Sequence, residues 1–186
     1  MTKQNDKNKK ILQVATQLLK SEGDMGLTMR KVATSAGMSL SNVQYYYTNK
    51  NALLQAIADQ YFDDCVTQLK QQTPLESFEQ LHLLITSQLN YAREVSDMCR
   101  IFREYWAIST RNDDINEYLR RYYETVFTVI CDVLRPLSHD DCTLKTSAAL
   151  LVSFVEGYSI TGKFMPVESE RIASTLLEAV RGSLTK

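Results

Sequence analysis

Apolar residues recur at intervals of three and four along most of the chain, the spacing that places them on one face of a helix. Between 7 and 22 the stripe is Ile11, Leu12, Ala15, Leu18 and Leu19, which predicts a first helix with Gly23 as its stop. Thr28 stands as an N-cap before MRKVATSA, a helix so short that only tertiary packing could hold it, and Gly37 ends it. A third short helix is predicted from near Ser39 through Tyr45, Tyr46 and Tyr47. Thr48 or Asn49 then caps a longer helix from Lys50 to about Gln72, closed by Thr73 and Pro74. Beyond Leu75 five more helices are expected, at roughly 75–95, 96–110, 113–135, 141–163 and 168–184. The third of these begins at Asn112 or Asp113 and carries Ile115, Leu119, Tyr122, Val126, Ile130 and Val133 on one stripe. With only 6 Gly and 3 Pro and no run of strand type, the fold class is all-α: an N-terminal three-helix helix-turn-helix head followed by a C-terminal helical bundle.

The helix-turn-helix lies in VATSAGMSLSNV. Two helices crossing steeply need a small residue at their contact, here Ala33, and a turn residue that accepts positive φ, here Gly37. Val32, Ala36, Met38 and Val43 would fill the seam. Stepping along the third helix puts Tyr47 on the same face as Val43, in the core, while Tyr45 points outward with Ser41. Asn42 and Gln44 flank that outer face, and Tyr46 lies at its edge. Asn and Gln can pair with an adenine edge and hydroxyls can reach phosphates, so this face suits a DNA major groove; the other reading of Tyr45 packs it against the first helix.

Charge sharpens the division. Residues 1–50 hold eight basic and three acidic residues, a net +5, which leaves 13 against 19, or −6, for the remainder of a chain whose net charge is −1. A basic head on an acidic body directs a polyanion to the head. The first ten residues carry lysines with no apolar stretch behind them, and no later apolar run approaches the roughly 18 residues of a membrane span. A cytoplasmic protein with no membrane partner is expected.

The block TMRKVATSAGMSLSNVQYYYTNKNALLQAI, from Thr28 to Ile57, resembles the TetR family of transcriptional regulators in its order of capping Thr, Ala, turn Gly, recognition helix, aromatic, Lys and Leu. The resemblance implies that Thr28 and Lys50 hold DNA phosphates from two helix N-termini, that Asn42 and Gln44 meet base edges, and that Tyr45 and Tyr46 contact backbone or thymine methyls. Arg30, Ser39, Leu40 and Ser41 complete the expected DNA-binding set. The family's usual tyrosine is absent at Gln44, with an aromatic one position later, and Ser41 stands where a small residue, often Gly, is common; the phosphate contact therefore shifts toward Tyr45. On this reading 1–50 is the DNA-binding domain, helix four at 50–72 is the link, and 51–186 binds ligand and dimerises.

In the body, aromatics gather in CRIFREYWAIS and LRRYYETVF. Phe102, Tyr105, Trp106, Tyr122, Tyr123 and Phe127, with Phe154 and Tyr158, are the candidate lining of a small-molecule pocket, and Glu104 or Glu156 facing it would favour a cation. Ordinary core packing is the alternative for each. Leu144, Ala148, Leu151, Val155, Ile172, Leu176, Leu177 and Val180 spread too widely for a monomer's surface, which predicts a homodimer through the last two helices; burial of these stripes against the chain's own bundle is the alternative. The partners expected are thus a double-stranded DNA operator, a small-molecule effector and a second copy of the chain, in a ligand-responsive repressor.

The four Cys and two His have no metal-site or disulfide spacing, and HDDC at 139–142 reads as a helix cap by Ser138, Asp140 or Asp141 rather than a zinc site. No metal and no cofactor are expected. An effector-independent DNA binder, or a redox sensor using Cys99 or Cys142, is the alternative function; an enzyme is disfavoured because no nucleophile motif or glycine-rich phosphate loop is present.

Overall fold

A computed structural model describes residues 3–93 and 97–185. Its α-helices are α1 (Lys3–Gly26), α2 (Met29–Ala36), α3 (Leu40–Tyr46), α4 (Lys50–Lys70), α5 (Phe78–Arg93), α6 (Asp97–Ser109), α7 (Asp113–Leu134), α8 (Asp141–Thr161) and α9 (Ser169–Leu184), with 3-10 turns at Arg135–Leu137 and Gly162–Phe164. No strand occurs among the described residues. The predicted end of the helix at 95 and start of the next at 96 lie outside them.

Local signals explain most of the boundaries. Thr28 Oγ1 accepts from Lys31 N at 3.2 Å and Ser39 Oγ from Asn42 N at 3.2 Å, so α2 and α3 both begin on a side-chain cap. Asn49, not Thr48, caps α4, accepting from Ala52 N at 2.9 Å. Asp140 caps α8 through Thr143 N at 2.8 Å. Gly37, at φ 66°, closes α2 in the left-handed conformation.

Two boundaries differ from expectation for physical reasons. Gly23 does not end the first helix outright: at φ 68° it breaks the helical path, and one further turn follows to Gly26. α5 starts at Phe78 rather than near 75, because Leu75 N donates to Val133 O at 2.9 Å and Ser77 Oγ takes over as the cap, accepting from Gln80 N.

The chain forms two compact units. The first comprises Met1–Cys65 with Arg100–Arg120, the second Val66–Cys99 with Arg121–Lys186. In the first, Val32, Ala33, Ala36 and Val43 are buried along the α2–α3 seam, as the motif requires, and Met38 is half-buried. Phe62 of α4 is fully buried, its ring 4.4 Å from Phe102, 5.1 Å from Tyr105 and 5.5 Å from Tyr118. The Tyr105 hydroxyl donates to Leu54 O at 2.5 Å, satisfying the one polar atom of that buried ring.

In the second unit, α5 supplies Leu81, Ile85, Leu89 and Ala92 to a core shared with α8, α9 and the end of α7. This corrects the expected dimer interface. Leu144, Ala148, Leu151, Leu176 and Val180 are each no more than 7% exposed, and Val155, Ile172 and Leu177 pack against the same core. The stripe judged too apolar for a monomer's surface is covered by α5 within the single chain.

Candidate nucleic-acid interface

The α2–α3 pair presents one polar face. Tyr45 is 73% exposed while Tyr47 is 9% exposed, so two neighbouring tyrosines point opposite ways, as the helical phase predicts. The Tyr47 hydroxyl donates to Asn8 Oδ1 at 2.5 Å, fastening the end of α3 to α1, and burial raises its pKa. With that end fixed, Ser41, Gln44 and Tyr45 stand exposed along α3, and Asn42, Leu40 and Tyr46 are half-buried beside them. Tyr46 braces Tyr45 edge-on, with ring centroids 5.2 Å apart.

Thr28, Arg30 and Ser39 are exposed at the starts of the two helices. The Thr28 oxygen accepts from a backbone amide and its O–H remains a donor, so capping α2 and holding a phosphate oxygen are compatible in one hydroxyl. Lys50 is less free. Its ammonium lies 2.7 Å from Asp24 Oδ1 and donates to Asp24 O at 2.5 Å, with the side chain 32% exposed. Lys31 pairs with Glu22. Two of the three acidic residues of the basic head are thereby engaged by its own lysines.

The expected pocket aromatics fall into separate groups. Phe102 and Tyr105 surround Phe62 in the first unit, and Trp106 is 51% exposed. In the second, Tyr122 and Tyr123 meet edge-on at 5.1 Å, Phe154 stacks on Tyr158 at 6.1 Å, and Phe127 is half-buried against the core. An open groove of about 700 Å³ is lined by Lys70, Gln72, Pro74, Arg121, Glu124, Thr125, Thr128, Val129, Asp132 and Val133. None of the eight aromatics lines it.

Glu156 of α8 is the notable carboxylate of the second unit. Burial pushes its pKa up, and a hydrogen bond from Tyr123 partly offsets this. A carboxyl whose folded pKa lies above its unfolded one weakens the fold as pH rises through that interval, and the full penalty is present above the folded value. Glu156→Gln keeps an acceptor for Tyr123 and removes the charge. The variant should melt above the parent at pH 7, with the difference closing toward pH 4; an unchanged or lower melting temperature at pH 7 would contradict the assignment.

Cys99 and Cys131 are buried, Cys65 is half-buried and Cys142 is exposed, and none of the four is in a disulfide. Among the described residues no cluster of His, Cys, Asp and Glu could hold a metal ion, and no helix is long and apolar enough to cross a membrane. Sequence reasoning missed Asp24, which accepts from both Lys50 and Arg111, the latter at 3.0 Å. It also missed Phe62 and Tyr118 as the partners of the α6 aromatics.

Comparison with known proteins adds four findings. Residues 11–57 match the family profile described as bacterial regulatory proteins, tetR family. An uncharacterised HTH-type transcriptional regulator in the dhlA 5′ region of Xanthobacter autotrophicus is 46% identical over 182 residues, covering 96% of this chain and 90% of that one. Among solved structures, Salmonella enterica GusR superposes with a TM-score of 0.80 at 21% identity, covering 100% of this chain and 99% of its own. The multidrug binding protein EbrR complexed with imidazole gives 0.66 at 20% identity over 93% of each.

Proposed function

This chain belongs to the TetR family of bacterial regulatory proteins, and from that premise we propose that it is a dimeric repressor released from its operator by a small molecule. It is a DNA-binding transcriptional regulator and not an enzyme. The observation that carries the reading is the outer face of α3, where Ser41, Gln44 and Tyr45 are exposed on a helix whose other side is pinned by Val43 and Tyr47. Residues 1–50 read DNA: Asn42 and Gln44 meet base edges, Tyr45 and Tyr46 contact backbone or thymine methyls, and Thr28, Arg30 and Lys50 meet phosphates. Residues 51–186 bind the effector and the second copy.

Dimerisation moves to a different face from the one first expected. Ala149, Leu150, Ser153, Gly157 and Ile160 recur at helical spacing along α8 and are all exposed. This stripe is small and apolar enough for two helices to approach closely about a two-fold axis. Two recognition helices related by that axis would read half-sites about one helical turn apart.

The effector site draws on the aromatics of the second unit, Tyr122, Tyr123, Phe127 and Phe154, with Glu156 suiting a cationic ligand over aromatic faces; the structural likeness to a multidrug binding protein agrees with such a role. A ligand that prefers a form with wrongly spaced heads weakens operator binding by its differential affinity, with α4 carrying the change. The test is a screen of small molecules against operator-bound protein. A compound that binds the free protein should lower operator affinity by about tenfold or more. A bound, saturating compound that leaves the operator complex unchanged would favour the effector-independent reading.

A further inference from the structure

The last turn of α1 holds a carboxylate that the DNA-binding reading does not use. Gly23, at φ 68°, turns the next amide so that Asp24 N donates to Glu104 Oε2 at 3.0 Å. A Cβ at position 23 would meet that same oxygen at 3.0 Å, so the glycine serves the close approach as well as the turn. Asp24 is therefore fixed by its backbone. Its side chain, 13% exposed, lies between two cations, Lys50 at 2.7 Å and Arg111 at 3.0 Å, and their hydrogen bonds hold its pKa down against the opposing effect of burial. The cluster brings together the last turn of α1, the first residue of α4 and the α6–α7 turn, all in the first unit.

Lys50 is the cation whose ammonium the α4 N-terminus offers to DNA. A phosphate approaching that helix end gains from the dipole and from the lysine, provided the lysine is not already neutralised. Here it is neutralised, by a carboxylate whose backbone amide is tied to Glu104 and whose second oxygen is held by Arg111. We propose that Asp24 is a positioning residue that competes with DNA phosphate for Lys50, so that this turn sets how tightly the head grips DNA. Arg111 moderates the competition by taking a share of the same carboxylate. The inference rests on the reading that the head binds DNA through α3 and the start of α4.

Non-specific binding is almost wholly electrostatic, so a random-sequence duplex reports the competition without knowledge of the operator. Asp24→Asn should bind it roughly three- to tenfold tighter at ~0.1 M salt, with a salt dependence steeper by about one counterion per chain. On a Lys50→Ala background the same substitution should change neither quantity, which separates release of Lys50 from a general gain of positive charge. Asp24→Glu, which keeps the carboxylate, should stay close to the parent, so a loss of binding in both Asp24 variants would identify a purely structural residue and overturn the proposal. A gain that persists without Lys50, or no gain with Lys50 present, would also overturn it while leaving the DNA-binding reading intact. A parent protein with no affinity for the duplex would overturn both.

Discussion

Replacing Phe62 with alanine is expected to cost about 3–5 kcal/mol of stability, the range for deleting a large aromatic side chain from a packed core. Phe62 is 1% exposed and three aromatic rings have centroids within 5.5 Å of its own. The surrounding unit cannot close readily over the void, because Tyr105 is tethered to Leu54 O and Phe102 and Tyr118 come from two different helices. Against a total stability of about 5–15 kcal/mol for an ordinary domain, this single change removes about a fifth or more. Urea denaturation followed by circular dichroism measures it. A loss below about 1 kcal/mol would mean that the cluster is loosely packed and does not organise the first unit.

Tryptophan at Gly157 should do the opposite, sparing the chain and breaking the assembly. A Cβ at that exposed position meets nothing within 4 Å, so a side chain leaves the helix there without a clash in the single chain, and the helix gains by losing a glycine. If α8 packs closely on its two-fold mate through Ala149, Leu150, Ser153, Gly157 and Ile160, the indole holds the helices apart. Light scattering should then give a monomer mass for Gly157→Trp and a dimer mass for the parent. Operator affinity should fall by about a hundredfold or more, since each head would bind its half-site alone. A variant that remains dimeric and binds normally would place the interface elsewhere.

How much of this was legible in the sequence depends on the range of the interactions. The head was read well because its signals are local: Thr28, Ser39 and Asn49 cap within three residues, Gly37 turns in place, and the phase between Val43 and Tyr47 decides which tyrosine is buried. The α8 and α9 boundaries followed from Asp140 and from periodicity for the same reason. Periodicity shows that a face is apolar but not what covers it. Thus Leu144, Ala148, Leu151, Leu176 and Val180 carry the pattern of an interface, while α5 packs into the same core within the single chain.

The same limit hid Asp24 and Phe62. Asp24 meets Arg111, 87 residues away, and its neighbours in sequence give no sign of a partner. Phe62 sits in register with Leu54 and Ala58 on α4, which marks it as buried, but the ring cluster needs α6 and α7 alongside. Tyr105, expected among the ligand-lining aromatics, proved to be a wholly buried member of that cluster, with its hydroxyl already spent on Leu54. Aromatic concentration alone does not separate a pocket from a core.

The central claim is that the exposed face of α3 reads a DNA sequence. Fluorescence anisotropy on the DNA immediately upstream of the protein's own gene tests it most directly, at several salt concentrations, with scrambled DNA and Gln44→Ala alongside. The account predicts that the parent prefers the upstream DNA by about a thousandfold or more, that affinity falls steeply with salt, and that Gln44→Ala loses about 1–3 kcal/mol of that preference while still binding DNA. Equal affinity for upstream and scrambled DNA, repeated on the best duplex selected from a random pool, would contradict it.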